Sequence, residues 1–559
     1  MKINRILSVL VVFCLATVLI TGCATNTPAG SSKSTSASAS TAENLNNTGM
    51  LNLVLNTTDM CQSPWADLQS LYVYMVFDPL YSFNVKGEVV PKLASKVDIS
   101  EDGKTYTFTI AKNVKWHDGQ PFTADDVAFS LYGVIADPKS GMGASMMKIE
   151  GAQDVKDGKA TSLSGVTVNG STVTVKLIAA DSSCYKSIPS IMILPKHIFG
   201  SMKPEEWQKN AAFWTAPIGT GMYKVEKFKA SDYMKLVRND EYFRAPAKIK
   251  NVLLKCFSSD AMDAAVASMI AGDLDYVYGN AFNDISTAKN ITKQNTKTKM
   301  LMMTSNYVRY MISNLSGSTD KKQNPGMQDA RVRHALNLLL DKEAIAAFYG
   351  EQAIPMTTFV NSADPMYNDD IAPFKRNVEK AKELLNAANF DYSKPIRITY
   401  YYADQTTKDV MELIKQNFTE AGVKCETTLA TGDLGSVLYE VKNFDLMYAG
   451  GFKADPVLNM QANTVGGGED ILLVNDAYRK EKFNKILDAY KATLDPVEAK
   501  KLADELQVVS AQECFTFPVY GLNKIILYNT AKLKLPEELF TIDNEQTRDY
   551  RFEDWSLVG

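Results

Sequence analysis

The stretch from Tyr106 to Leu131 constrains the fold of this chain more than any other segment. Apolar side chains alternate with threonines from Tyr106 to Ile110, which is the period of a half-buried strand. Asp118-Gly119 is a turn dipeptide, and Thr123 is a favourable cap for a helix whose first turn carries two aspartates. The sequence therefore predicts a strand, a sharp turn and a helix that form one packed corner.

Strand and helix patterns alternate along the remainder of the chain. Val166–Val168 and Val173–Val175 flank a loop that opens with Asn169-Gly170, which predicts a hairpin. Apolar residues at helical spacing predict an amphipathic helix from Asp329 to Gly350 and one long helix from Phe483 to Leu506. Strands that alternate with helices are typical of an α/β fold.

The first residues indicate export and attachment to a membrane. Ile6–Ile20 is an apolar run of about 15 residues, shorter than the ~20 that cross a bilayer, so residues 1–22 are interpreted as a signal peptide. Small residues precede Cys23, which resembles a bacterial lipobox whose cysteine carries the lipid. Residues 23–49 are rich in Ser, Thr, Ala and Asn and predict a flexible tether.

Composition excludes several function classes. The 559 residues are enough for two or three domains, and the net charge of −4 argues against nucleic-acid binding. The seven cysteines form no CxxC pair and the three histidines are dispersed, so no metal or cofactor site is indicated and free thiols are favoured. No HExxH, GxSxG or P-loop motif is present, so the sequence does not indicate an enzyme.

The string from Tyr106 to Leu131 closely resembles the signature of the oligopeptide- and dipeptide-binding lipoproteins of ABC importers, family 5 of the extracytoplasmic solute-binding proteins. Five further segments resemble landmarks of this family and stand in the family's order. They are Ile193–Phe199, Pro217–Tyr223, Leu236–Phe243, Gly272–Asp275 and Asp329–Ala335.

The resemblance implies an α/β fold of the periplasmic-binding-protein type II class, with two lobes joined by hinge crossovers and one extra inserted domain. The first lobe would take residues 50–77, 215–305 and 512–559. The inserted domain would be 78–214 and the second lobe 306–511.

The implied function is the capture of peptides in the cleft between the lobes and their delivery to ABC permease subunits with their ATPases. The protein would be monomeric, would use no cofactor, and would be held at the outer face of the bacterial cell membrane through Cys23. The alternatives are a non-peptide solute on the same fold, such as a nickel chelate, a sugar or an opine, or a role as a receptor for peptide signals.

One loop matches the family's ligand-binding pattern directly. In peptide-binding members a strand ends in a Gly-aromatic-x-x-Asp segment whose aspartate holds the ligand's α-ammonium group. Gly451, Phe452 and Asp455 match this pattern, with Phe where Trp is usual. Asp455 is therefore the candidate ammonium-binding residue and Phe452 its neighbour at the ligand; the alternative is that Asp455 only caps a turn before Pro456.

Other candidate ligand-binding residues are supported by position alone. Thr58, Asp59 and Met60 follow the first strand, where family members usually contact the ligand, and Tyr132 lies near the end of the signature helix. The ligand's α-carboxylate also needs a cation. The sequence leaves this cation open among Arg309, Arg333, Lys375 and Arg376.

Overall fold

A computed structural model describes residues 49–558 except 56–63, 66–70, 258–261, 279–284, 543–546 and 548. Its strands, in chain order, are β1 (Met50–Leu55), β2 (Tyr81–Phe83), β3 (Val89–Pro91), β4 (Ala94–Ile99), β5 (Thr105–Ile110), β6 (Val166–Asn169), β7 (Thr172–Lys176), β8 (Tyr223–Lys229), β9 (Tyr233–Arg238), β10 (Asn251–Cys256), β11 (Tyr276–Tyr278), β12 (Thr298–Met303), β13 (Val308–Ser313), β14 (Ala353–Pro355), β15 (Ile396–Tyr400), β16 (Cys425–Leu429), β17 (Leu446–Gly451), β18 (Thr516–Leu522), β19 (Lys524–Asn529), β20 (Leu533–Lys534) and β21 (Ser556–Leu557).

The α-helices of the described residues are α1 (Leu71–Val76), α2 (Ala124–Ala136), α3 (Ala152–Lys156), α4 (Ser183–Ser187), α5 (Lys196–Phe199), α6 (Pro204–Trp207), α7 (Ala211–Thr215), α8 (Met262–Ala271), α9 (Ile285–Gln294), α10 (Ala330–Leu339), α11 (Lys342–Ala347), α12 (Val378–Ala387), α13 (Gln405–Glu420), α14 (Asp476–Arg479), α15 (Lys485–Ala492) and α16 (Pro496–Glu513).

Two expected long helices are each divided. The helix expected from Asp329 to Gly350 becomes α10 and α11, because Asp341 accepts a hydrogen bond from the Ala344 N–H and starts a new helix. The helix expected from Phe483 to Leu506 is also wrong, since α15 ends at Ala492 and α16 starts at Pro496. Proline lacks an N–H and fits only the first turn, so it restarts the helix.

Two large sheets form the two lobes. The first has the order β12-β19-β11-β1-β10-β9-β8, in which β1 runs parallel to β10 and β11. The second has the order β14-β18-β13-β17-β15-β16, in which β15 runs parallel to β16 and β17. The α/β class predicted from the sequence is confirmed.

A third, antiparallel sheet of the order β4-β5-β7-β6 forms the inserted domain. Strand β5 alternates between buried and half-buried residues, and β6 and β7 pair as the expected hairpin. Helix α2 starts after Thr123, whose backbone N–H donates to the Asp126 carboxylate at 2.8 Å. The inserted domain and the first lobe share one hydrophobic core, which includes Leu51, Val175 and Trp555, whereas the second lobe has a separate core.

The signature residues join the inserted domain to the first lobe. The Gly219 N–H donates to Nδ1 of His117 at 3.1 Å, and Nε2 of His117 donates to the Gly221 carbonyl at 2.9 Å. This geometry requires a neutral ring, and burial lowers the pKa of His117 to about 4. A Cβ on Gly219 would lie 1.8 Å from the Val76 carbonyl oxygen, so only glycine fits there. The motif residues His117, Gly219 and Gly221 therefore form a joint between the inserted domain and the first lobe.

The chain crosses between the large sheets twice. Residues 304–307 connect β12 of the first sheet to β13 of the second, and Asn523 alone connects β18 of the second to β19 of the first. The expected return to the first lobe at residue 512 is too early, because β18 pairs with β13 and β14 in the second sheet. Both β18 and β19 are apolar strand sequences, and strand pattern alone does not specify which sheet a strand joins.

Candidate functional site

The cleft edge of each lobe is formed by the carboxyl ends of its parallel strands. In the second lobe, β17 ends at Gly451, which pairs with Val308 directly beside the crossing at 304–307. In the first lobe, Tyr278 at the end of β11 pairs with Ile526, close to the crossing at Asn523. Ligands of open α/β sheets bind beyond such strand ends, so the candidate site lies between these edges.

Asp455 lies on the loop that leaves the end of β17. Its Oδ1 accepts a hydrogen bond from the Val457 N–H at 3.0 Å, and its Oδ2 accepts one from the Tyr490 hydroxyl at 2.8 Å. The side chain caps the 3₁₀ turn Pro456–Asn463, so the alternative predicted from Pro456 does occur. Burial raises the pKa of Asp455, and the hydrogen bond from Tyr490 and the charge of Lys186 act in the opposite direction.

Lys186 of the inserted domain lies within electrostatic range of the Asp455 loop. It lies on α4 and is exposed, and its charge also lowers the pKa of Asp364, which burial raises. The Ser182 N–H, just before α4, donates to the carbonyl of Lys491 on α15. The inserted domain therefore contacts the second lobe on the Asp455 side of the cleft.

The other predicted ligand-binding residues are distributed over the molecule. Phe452 is half-buried, three positions before Asp455 on the same loop. Tyr132 lies on α2 of the inserted domain, where its ring packs edge-on against Trp207 at 6.4 Å. Thr58, Asp59 and Met60 lie outside the described residues, as does Cys23, although the first three come shortly after β1 in the chain. Phe452 and Asp455 lie on the same loop, and the ligand-binding role of all six residues stays a prediction.

A cluster of tyrosines surrounds the end of β17. The Arg309 guanidinium lies 3.3 Å from the centre of the Tyr402 ring and 5.2 Å from that of Tyr307. The hydroxyls of Tyr307 and Tyr402 are 3.3 Å apart, and Tyr402 donates to Tyr401 at 3.1 Å. A Cβ on Gly450 would lie 2.4 Å from the Tyr307 hydroxyl and 2.9 Å from Nη1 of Arg309, so glycine leaves room for this cluster.

The four candidate cations differ in their partners. Arg333 is buried against Glu513 at 3.4 Å and donates to the Met327 carbonyl, and Arg376 pairs with Glu420. Lys375 is exposed. In the part of the chain that the structure describes, Arg309 has no carboxylate within ion-pair distance, and its Nε and Nη1 are buried without a hydrogen-bond partner.

Glu469 is a candidate that the sequence analysis missed. Burial raises its pKa to about 7, and its Oε2 is buried without a partner among the described residues. Its charge acts on Tyr310, Tyr401 and Tyr439, and Tyr401 is also within the electrostatic range of Arg309. Glu469 follows three glycines in a polar segment, and no sequence pattern distinguishes such a residue from a surface loop residue.

The described residues give no further support for a metal site or a membrane-spanning helix. They contain no group of three or more His, Cys, Asp and Glu side chains that could hold a metal ion, and none of their helices has the length and apolar character needed to cross a membrane. Cys184, Cys256, Cys425 and Cys514 are free thiols, as expected.

Comparisons with known proteins agree with this architecture. Residues 88–468 match the model of the bacterial extracellular solute-binding proteins, family 5 middle region. The chain is 26% identical to the oligopeptide-binding protein AppA of Bacillus subtilis over 517 residues, or 86% of each chain, and 27% identical to a nickel-binding periplasmic protein of Escherichia coli over 62% of this chain and 64% of the relative.

A solved structure has the same fold. It is that of AppA from Bacillus subtilis in complex with a nonapeptide, with a TM-score of 0.67, 22% identity, and coverage of 91% of this chain and 99% of AppA. Since the family model covers well over half of the chain, this protein belongs to family 5 of the bacterial extracellular solute-binding proteins, the substrate-binding components of ABC transporters, which are not enzymes.

Proposed function

We propose that this protein captures peptides in the cleft between its lobes and delivers them to the permease subunits and ATPases of an ABC importer. The observation that carries the proposal is Asp455, a carboxylate at the carboxyl end of β17 on a loop of the pattern Gly-Phe-x-x-Asp. The names of the similar proteins support a peptide as the ligand, since one is oligopeptide-binding and the solved structure holds a nonapeptide.

The chemistry of Asp455 fits an α-ammonium group. Each of its oxygens accepts one hydrogen bond, from Val457 and from Tyr490, and each retains a further lone pair. A peptide ammonium that enters the cleft loses water and needs an anion. Phe452 would pack beside the first residue of the peptide, and Thr58, Asp59, Met60 and Tyr132 would contact it from the first lobe and the inserted domain.

A matched pair of variants tests this role. The tripeptide Asp-Pro-Val occurs twice, and Asp495 caps α16 by accepting from the Val497 N–H at 2.9 Å, much as Asp455 accepts from Val457. Asp455→Asn and Asp495→Asn both keep the capping oxygen and remove the charge. Titration calorimetry with a pool of short peptides compares their affinities, and thermal unfolding measures the fold.

Asp455→Asn is expected to lose at least about a hundredfold in peptide affinity, because an unpaired buried charge costs of order 3–5 kcal/mol. Asp495→Asn should bind like the unaltered protein. Equal affinities in all three proteins would refute the assignment of Asp455.

The class of ligand has its own test. Mass spectrometry of small molecules released from the purified, denatured protein should find peptides. A nickel chelate belongs in the same binding panel, because one similar protein is named for nickel binding. Release of the chelate, a sugar or an opine in place of peptides would contradict the peptide proposal.

Membrane attachment through Cys23 is part of the proposal. Cell fractionation of a bacterium that expresses the Cys23→Ala variant should find the protein outside the membrane fraction, whereas the unaltered chain stays with the membrane. Residence of both proteins in the membrane fraction would exclude a lipid on Cys23.

A further inference from the structure

Among the described carboxylates of the second lobe, Glu469 is unusual in having a buried oxygen, Oε2, without a donor. By comparison, Asp445 accepts from the backbone N–H groups of Asn324 and Arg397 at 2.6 and 2.8 Å. Each oxygen of Asp455 also accepts one hydrogen bond. A buried carboxylate without a partner is costly, so the surroundings of Glu469 are incomplete.

Three tyrosines on separate elements lie within the electrostatic range of Glu469. Tyr310 is on β13, Tyr401 directly follows β15, and Tyr439 lies on a π-helical turn. The charge of Glu469 raises the pKa of each of them. All three pack against one small hydrophobic core, which also contains Leu472, three residues after Glu469. Glu469 and these three tyrosines are called the Glu469 cluster.

The Glu469 cluster lies at the cleft edge of its sheet, on the face opposite to Arg309. Successive strand residues point to opposite faces, so Tyr310 faces away from Arg309. A Cβ on Gly451, the last residue of β17, would lie 3.2 Å from the Tyr310 hydroxyl, so this hydroxyl reaches the strand end. The loop that carries Asp455 starts at the same strand end. The cluster therefore adjoins the surface proposed to hold the ligand.

The chemistry of the cluster suits a cation. A desolvated carboxylate needs an ammonium or guanidinium group, and the faces of tyrosine rings attract the same groups. Tyrosine hydroxyls can accept further N–H groups of such a cation. Burial raises the pKa of Glu469, and no cationic side chain of the described residues lowers it. Glu469 is half-buried as a whole, so its side chain is not sealed from solvent.

We propose that the Glu469 cluster binds the positively charged side chain of a lysine or an arginine in the ligand, and that the protein therefore prefers basic peptides. The inference rests on the proposed peptide function and deepens it, because it names the side chain that the cleft selects. The α-ammonium group assigned to Asp455 is common to all peptides with a free amino end, so it provides no such preference.

The experiment compares four pools of synthetic peptides of three to six residues. Each peptide is made of alanines and one variable residue, which is lysine, norleucine, arginine or citrulline. Norleucine keeps the aliphatic chain of lysine without the ammonium group, and citrulline keeps the shape of arginine without the charge. The ends of the peptides are identical in all pools, so their contributions cancel. Equilibrium dialysis against the full-length protein in detergent, followed by mass spectrometry, measures the retained amount of each pool.

The unaltered protein is expected to retain each cationic pool at least about tenfold better than its neutral counterpart, because hydrogen bonds to charged groups are strong. Glu469→Gln should remove this preference and still retain the neutral pools, and Glu469→Asp should keep part of it. The control Glu426→Gln, which neutralises an exposed carboxylate of the same sheet, should keep the full preference. Tyr439→Leu removes one ring of the cluster and should weaken the preference even if Glu469→Gln does not fold.

Equal retention of the cationic and neutral pools by the unaltered protein overturns the role of Glu469 and leaves the peptide function intact. A full preference in Glu469→Gln or in Tyr439→Leu also overturns that role. Retention of none of the four pools overturns the peptide function, and the role of Glu469 with it.

Discussion

Two regions of this molecule bury charged groups, and they do so in opposite ways. At the joint between the first lobe and the inserted domain, Lys92 lies 3.2 Å from Asp549 and 3.8 Å from Glu553, and Arg244 lies 3.3 Å from Glu553. Asp78 beside them accepts from the hydroxyls of Tyr242 and Thr220. Each of these charges has a partner within the protein.

At the cleft edge of the second lobe the charges lack partners. Within the described residues, neither Arg309 nor Glu469 has an oppositely charged side chain within ion-pair distance. Unpaired buried charges are costly, and groups of this kind cluster at functional sites. The comparison teaches that the joint pairs its buried charges within the protein, whereas the proposed binding surface does not.

Breaking the joint should have the largest effect on stability. Lys92→Met removes the buried cation beside Asp549 and one of the cations beside Glu553, so the free energy of unfolding should fall by about 3–5 kcal/mol. Denaturant unfolding checks this. The matched control is Lys96→Met, whose partner Asp98 is exposed, with an expected loss below about 1 kcal/mol. Similar losses in both variants would contradict the distinction, and peptide affinity should change in neither.

Glu469→Gln should change the pH dependence of stability. The folded pKa of about 7 lies above the ordinary value of 4.5, so the unfolded chain loses this proton first as the pH rises. The protein is therefore destabilised progressively between pH 4.5 and about 7, by up to about 3 kcal/mol above pH 7.

A glutamine at position 469 cannot lose a proton. Compared with the unaltered protein, the variant should therefore gain no free energy of unfolding near pH 4.5 and should gain most near pH 8. Unfolding at both pH values measures it, with the exposed Glu426→Gln as control. A gain of equal size at both pH values would show that charge is not the cause.

Tyr490→Phe should have the smallest effect. It removes the hydrogen bond to Oδ2 of Asp455, which lowers the pKa of that carboxyl, so the pKa should rise in the variant. More of Asp455 is then protonated in mild acid, and peptide affinity should fall by up to about tenfold at pH 5 and less at pH 8. Calorimetry at the two pH values checks this, and a loss that does not depend on pH would argue against a charged Asp455.

The sequence predicted the fold better than it predicted the site. The α/β class and the hairpin at Asn169-Gly170 followed from local patterns. The break at Asp495-Pro496 also has a local cause, since Asp495 caps a new helix and Pro496 fits only its first turn. By contrast, the position of the crossing at Asn523 depends on which distant strands pair with β18. The local sequence does not indicate those pairing partners.

The site depended on long-range packing. A family pattern in its loop predicts Asp455 as a ligand-binding residue, whereas the sequence does not distinguish Arg309 from the other three candidate cations. What distinguishes Arg309 and Glu469 is the partner that each lacks, and a missing partner can be recognised only when the surroundings in space are known.

The position of the Asp455 loop beside a crossing has a mechanical consequence. When one lobe turns about the two connecting segments, a group near them moves little, and a group at the far rim travels a long way. Asp455 lies beside the same crossing, because the Asn306 side chain there donates to the Ala454 carbonyl at 3.1 Å. A ligand held at Asp455 would therefore shift little as the lobes close, while groups of the inserted domain far from the crossing would move toward it.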